Sequence, residues 1–107
     1  MTKQLQKRFE KYPLYSQDGK GFDAIIQAYY FLPFSAATWL ITEGSPLENG
    51  DYELYGYCTL SGTDWEWGYV WLSQIESVKL HGLKAERDRG LENIPIKEVL
   101  KIQGVLK

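Results

Sequence analysis

Four runs rich in aromatic and β-branched residues, turn signals between them, and helical patterning at three other places predict an α+β fold. The expected architecture is a single antiparallel β-sheet of four to five strands, with an N-terminal helix, a helix after strand four and a short C-terminal helix. Aromatic residues make up 15% of the chain, including 4 Trp and 8 Tyr, and broad rings pack well on a pleated surface. With 107 residues, 44% of them hydrophobic, one domain spanning 1–107 can bury a core without disulfides or a structural metal.

Thr2 is positioned to cap a first helix running to about Lys11, with Leu5, Phe9 and Tyr12 forming one apolar stripe. Pro13 ends it, and the polar stretch from Ser16 to Gly21 reads as a turn into a first strand, Phe22 to Leu32, which Pro33 stops. Ala37 to Glu43 is the second strand, and Asn49-Gly50 marks the reversal after it. Tyr52 to Leu60 and Trp65 to Leu72 are strands three and four, and the linker between them is too short for a parallel crossover. Ser73 with Glu76 matches a capping box opening a helix from Gln74 to about Leu80, with His81 in its last turn and Gly82 as C-terminal cap. Leu83 to Asp88 suits an edge strand. Pro95 suits the first position of a helix over Ile96 to Ile102.

Charge is unevenly spread. All 12 basic residues lie outside Gly21 to Val78, and that segment holds eight acids: Asp23, Glu43, Glu48, Asp51, Glu53, Asp64, Glu66 and Glu76. The favoured expectation is that the flanking elements pack across the sheet and partly neutralise it. The functional alternative is an acidic surface that attracts a protein partner with a basic face. Both make the central strands a poor site for phosphate backbones, so nucleic acid is not the expected partner. Cys58 is the only cysteine, and no apolar run is long enough to span a bilayer, so a reducing cytoplasm is the expected location and no membrane segment is expected.

Several ordered motifs carry a resemblance: Trp39-Leu40-Ile41-Thr42-Glu43, Gly56-Tyr57, Glu66-Trp67-Gly68-Tyr69 and Gly82-Leu83-Lys84-Ala85-Glu86-Arg87-Asp88. Roughly from Leu5 to Pro95 the chain resembles the small bacterial and plasmid-borne domain of unknown function numbered 2958. The resemblance implies an accessory product of a mobile element and carries no activity onto particular residues. Residues 96–107 lie outside it.

Side chains alternate along a strand, so Trp65, Trp67, Tyr69 and Trp71 share one face of strand four and Glu66, Gly68, Val70 and Leu72 the other. A core wall facing the first helix is the leading reading of this ladder, and a stacking platform for bases or sugars is the functional one. Gly68 offers room for a neighbouring ring against the backbone. Glu43, Glu53 and Glu66 fall on adjacent strands, where two of them would make an acid–base pair if directly opposed, as in a small glycosidase. Glu86, Arg87, Asp88 and Arg89 alternate in sign, which fits a solvated edge or an arginine pair gripping a carboxylate or phosphate. A lone His81 and a lone Cys58 give no metal set, and both read as structural. No catalytic residue, metal or cofactor is expected.

The reading that follows is a noncatalytic binding protein whose partner meets Trp39, Glu43, Glu53, Glu66, Trp67 and Tyr69 on the sheet, or Glu86, Arg87 and Arg89 at its edge. The alternatives are a small hydrolase using paired sheet carboxylates and a single-strand nucleic-acid-binding module.

Overall fold

The computed structural model describes residues 1–105. Helix α1 is Lys3–Lys11, with the Leu5 amide donating to Thr2 Oγ1 at 3.2 Å and Leu5 and Phe9 buried. Strands β1 (Ala28–Phe31), β2 (Thr38–Pro46), β3 (Tyr52–Thr59) and β4 (Trp65–Trp71) follow, then helix α2 (Leu72–Ser77). The two-residue strands β5 (Lys79–Leu80), β6 (Leu83–Lys84) and β7 (Glu86–Arg87) precede helix α3 (Ile96–Ile102). Five strands form one antiparallel sheet in the order β4-β3-β2-β1-β7, and β5 and β6 form a separate small hairpin. The α+β class, the N-terminal helix, the helix after strand four and the short last helix are as expected.

Each sheet face has its own core. Helices α1 and α2 cover one, where Leu5, Phe9, Trp39, Ile41, Leu54 and Ile75 are buried together. Gly44 lets α1 come down on the sheet, because a Cβ there would stand 2.8 Å from Leu54 Cδ2 and 3.0 Å from Phe9 Cδ1. Helix α3 covers the other face over β1 and β2, joining Ile96, Val99 and Leu100 to Ile26, Tyr29 and Leu40.

The first strand is shorter than its composition suggests. The expected start, Phe22, sits in a 3-10 turn over Gly21–Asp23. Ala24 to Ile26 send their hydrogen bonds to the segment before α3: Ile26 N–H donates to Ile94 O at 2.9 Å, Asn93 N–H to Ile26 O at 2.8 Å and Ile96 N–H to Ala24 O at 3.0 Å. Backbone groups must find partners somewhere, and here a distant turn outcompetes the sheet ladder.

The stretch after strand four also departs from expectation. Helix α2 starts earlier than its Ser73–Glu76 signal, since Gln74 Oε1 accepts the Trp71 N–H at 2.8 Å and Ser73 hydrogen-bonds Asp51 at 2.5 Å instead. His81 and Gly82 are not a helix end. Both have positive φ, 51° and 78°, and they form the two-residue turn of the β5–β6 hairpin, the geometry that matches strand twist. The expected edge strand Leu83 to Asp88 is therefore split, its first half pairing with β5 and its second with β1. At the last helix Pro95 is the residue just before the first turn rather than within it.

Candidate functional site: an aromatic face beside an open sheet edge

The antiparallel register of β3 and β4 sets Tyr57 opposite Trp67, Tyr55 opposite Tyr69, and Thr59 opposite Trp65. Their rings interlock: Tyr57 stacks on Trp65 with centroids 5.2 Å apart, Tyr55 on Trp67 at 5.8 Å, and Tyr55 meets Tyr69 at 4.8 Å. Phe22 closes the cluster by stacking on Trp67 at 5.9 Å. Ring pairs at such separations add attraction beyond the area they bury.

The ladder does not face the first helix. It lies on the α3 face of the sheet, but α3 sits over β1 and β2, so the β4 rings stay partly in water: Trp67 is 38% exposed, Trp71 49% and Tyr69 53%. The expected core wall is thus corrected to a half-solvated platform. Of Phe22, Tyr55 and Tyr57 only Tyr57 stands among the sequence motifs, and it is the β3–β4 register that brings the two tyrosines onto this face. Tyr15, at a positive φ of 74° and 67% exposed, borders the patch. The neighbouring Tyr15 hydroxyl is the leading cause that pushes the Tyr69 phenol up to about 12.

On the opposite face, Glu66, Gly68 and Val70 line an open groove of about 460 Å³ with Trp39 and Cys58. Gly68 has nothing within 4 Å of where a Cβ would stand, so no ring lies over it as expected. Burial raises the Cys58 thiol to about 12, which keeps it protonated and unreactive at neutral pH. Trp39 is only 5% exposed and belongs to the helix-covered core, so it is no surface anchor.

The three sheet carboxylates are not opposed to one another. Glu43 pairs across the strands with Tyr55, Glu53 with Ser45 and Trp71, and Glu66 with Cys58, which puts Glu66 on the other face from the first two. Glu43 is buried and structural, accepting the Tyr15 N–H at 2.7 Å and the Gln17 N–H at 2.9 Å. Gln17, also buried, bonds Ile25 N–H and O and Thr42 O, so this loop is wound around two polar side chains.

The Glu-Arg-Asp edge is likewise rearranged. Arg87 turns inward and grips Glu92 with two hydrogen bonds of 2.6 and 2.7 Å, a pairing that raises the guanidinium pKa. Arg89 is exposed in a 3-10 turn, and Glu86 is exposed on β7, so Arg87 and Arg89 do not form one gripping pair.

Neutralisation of the acidic centre is slight. Among the described residues only Asp23 pairs with a base, Lys97 at 2.6 Å, while Arg8 and Arg87 are both spent on Glu92. Asp51 is held by Ser73, whose hydrogen bond lowers its pKa. Among the described residues Glu48, Glu53, Asp64, Glu66 and Glu76 make no ion pair, so the flanks neutralise the acidic segment at Asp23 alone and leave Glu53, Asp64 and Glu66 as acids of the β3–β4 hairpin. No three His, Cys, Asp or Glu side chains gather to hold a metal, and no helix is long and apolar enough to cross a membrane, among the described residues.

A family model described as protein of unknown function (DUF2958) matches residues 1–101. The chain belongs to this family. The match takes in nearly all of α3, beyond the reach of the motifs read from sequence. No curated protein and no solved structure matches.

Proposed function

We propose that the protein is a noncatalytic interaction protein that receives a protein partner on the aromatic face of β3 and β4. The observation that carries this reading is the interlocked ring cluster left half in water where α3 stops short. Large amphipathic rings held rigid by their neighbours lose little entropy on docking, and they are the usual anchors of interfaces. Glu53 on the ring face and Asp64 and Glu66 at the neighbouring groove favour a basic partner and disfavour phosphate backbones. A hydrolase using paired carboxylates loses support, because Glu43 is committed to two backbone amides and Glu66 points to the other face. The resemblance to plasmid-borne proteins supports a role as an accessory product of a mobile element, and the single unpaired Cys58 supports a reducing, cytoplasmic setting.

Affinity capture from a host cell, with the Trp67→Ala and Tyr69→Ala variants alongside, tests the reading. The retained partner should be lost from both variants, and its association should slow with added salt. An acidic partner, or one retained equally by both variants, overturns it.

A further inference from the structure

We infer that β4 takes on an added strand: its open edge is the docking site for an extended segment of a partner, with Lys or Arg at every second residue and apolar residues between. This rests on the reading of the β3–β4 end as a docking surface, and goes further by naming the binding mode and the side-chain pattern.

The edge itself is the first observation. β4 is the outermost strand of the sheet, seven residues long, and it pairs with β3 without a break in register from Trp65 to Trp71. One side of its backbone is therefore used, and up to Tyr69 the other offers N–H and C=O groups to a further strand, the Trp71 N–H being already taken by Gln74 Oε1. Natural edge strands are commonly guarded by Lys, Pro, a bulge or short length. Trp-Glu-Trp-Gly-Tyr-Val-Trp has none of these guards, whereas the opposite edge, β7, is only two residues long.

The second observation is that the two faces beside this edge differ in chemistry. Successive side chains of an added strand point to opposite faces. One set would enter the groove beside Glu66, where Asp64 also lines the wall and Gly68 leaves space that no atom occupies within 4 Å. The other set would lie against the edges of Trp67, Tyr69 and Trp71. Carboxylates on one side and rings on the other select cations alternating with apolar groups.

Charge decides the occupant. Pairing β4 with β4 of a second copy would bring the Asp64 and Glu66 of both chains to one edge with no Lys or Arg between Gly21 and Val78 to offset them. A basic strand has the complementary sign.

The probe is a capped octapeptide of four Lys-Val repeats, followed by amide NMR and hydrogen exchange on the whole protein. Addition should shift and protect alternate amides of residues 65–71. A peptide of four Glu-Val repeats should bind at least about 10-fold more weakly, as should the Lys-Val peptide N-methylated at every second residue, since about one strong contact's worth of affinity is removed in each. Gly68→Lys should keep the wild-type melting curve and lose the peptide, because it places a guarding cation in the empty groove, while Gly68→Ala retains it.

Equal binding of the N-methylated or the Glu-Val peptide overturns the inference, as does the absence of any binding at millimolar peptide. Shifts confined to the rings without amide protection also overturn it, but leave the aromatic docking face standing. Protection of β4 that rises with protein concentration alone, without peptide, would assign the edge to a second copy instead.

Discussion

Removing the Glu92 carboxylate should unfasten three elements at once. Glu92 Oε1 accepts from Arg8 Nη1 of α1 at 3.0 Å and from Arg87 Nη2 of β7 at 2.7 Å. Its Oε2 accepts from Arg87 Nε at 2.6 Å and from the Tyr29 N–H of β1 at 3.1 Å. The carboxylate is fully buried, while the Arg8 and Arg87 side chains are 22% and 13% exposed. Deleting one partner of a buried ion pair costs about 3–5 kcal/mol, and a stranded buried N–H adds about 1–3 kcal/mol. Arg8 retains its bond to Gln27 O at 3.0 Å and reaches water, which offsets part of this. The expected cost of Glu92→Ala is therefore about 4 kcal/mol, a large part of the 5–15 kcal/mol that holds an ordinary domain together. In urea, with m about 2 kcal/mol/M, the midpoint should fall by about 2 M. Glu92→Leu combined with Arg87→Met should cost less than the sum of the single changes by at least about 1 kcal/mol, since no cation is then stranded at Arg87. A Glu92→Ala loss below about 1 kcal/mol, or strict additivity in the cycle, would refute the view of Glu92 as the hub joining α1 to the β1–β7 edge.

Four further outcomes are expected. Gly56→Ala should cost about 3 kcal/mol or more in a thermal melt, because its Cβ would fall 2.0 Å from Leu40 O, a backbone atom that only a shift of β2 can relieve; a wild-type melting curve contradicts that contact. Trp39→Ala should cost about 3–5 kcal/mol, as a buried core ring does, whereas Tyr69→Ala should cost well under about 1 kcal/mol; equal losses by denaturation would show the platform to be core. Cys58 has a folded-state pKa raised to about 12 by burial, so its stabilising effect is complete below the unfolded thiol value of about 8.5 and is lost as pH rises toward the folded value. Stability should fall between about pH 9 and 10 by up to about 1.4 kcal/mol per unit from this thiol, and Cys58→Ala should remove that share of the slope.

The parts of the fold written as local patterns were legible in the sequence, and the parts set by distant partners were not. Thr2 as cap, the Leu5–Phe9 stripe and strands β2 to β4 each follow from periodicity and turn chemistry within a few residues. The Phe22–Gln27 stretch has equally good strand composition, yet the Ala24 carbonyl and the Ile26 backbone are taken by Asn93 to Ile96, some seventy residues away, and the Ile25 backbone by the Gln17 side chain. His81-Gly82 reads equally well as a helix end or a hairpin turn, because both use positive φ. For the candidate site, alternation correctly sorted the side chains of β4 into two faces. Which face α1 would cover depended on the glycine at position 44, where the helix lands. Glu92 carried no signal at all: its partners Arg8 and Arg87 meet it only after α1 and β7 are in place.

The charge map and the fold together explain why the β4 end differs from the rest of the molecule. The N-terminal and C-terminal segments supply every basic residue, and in the structure α1, β7 and α3 gather at the β1 side of the sheet, where Arg8 and Arg87 turn to Glu92 and Lys97 to Asp23. Three of the bases are thus paired on the β1 side, far along the strand order from β4. The β3–β4 hairpin is built wholly from the segment without Lys or Arg, and the core beneath α3, a helix of only seven residues, reaches Tyr57 and Trp65 but leaves Trp67, Tyr69 and Trp71 exposed. An uncovered, acidic, ring-bearing strand at a sheet edge is costly for an isolated monomer, since edge pairing and apolar contact both invite association. Like charges on two copies oppose their edge-to-edge pairing, and on the proposed reading the same charges would favour a partner of opposite sign, so that one surface would both resist self-association and discriminate among extended partners.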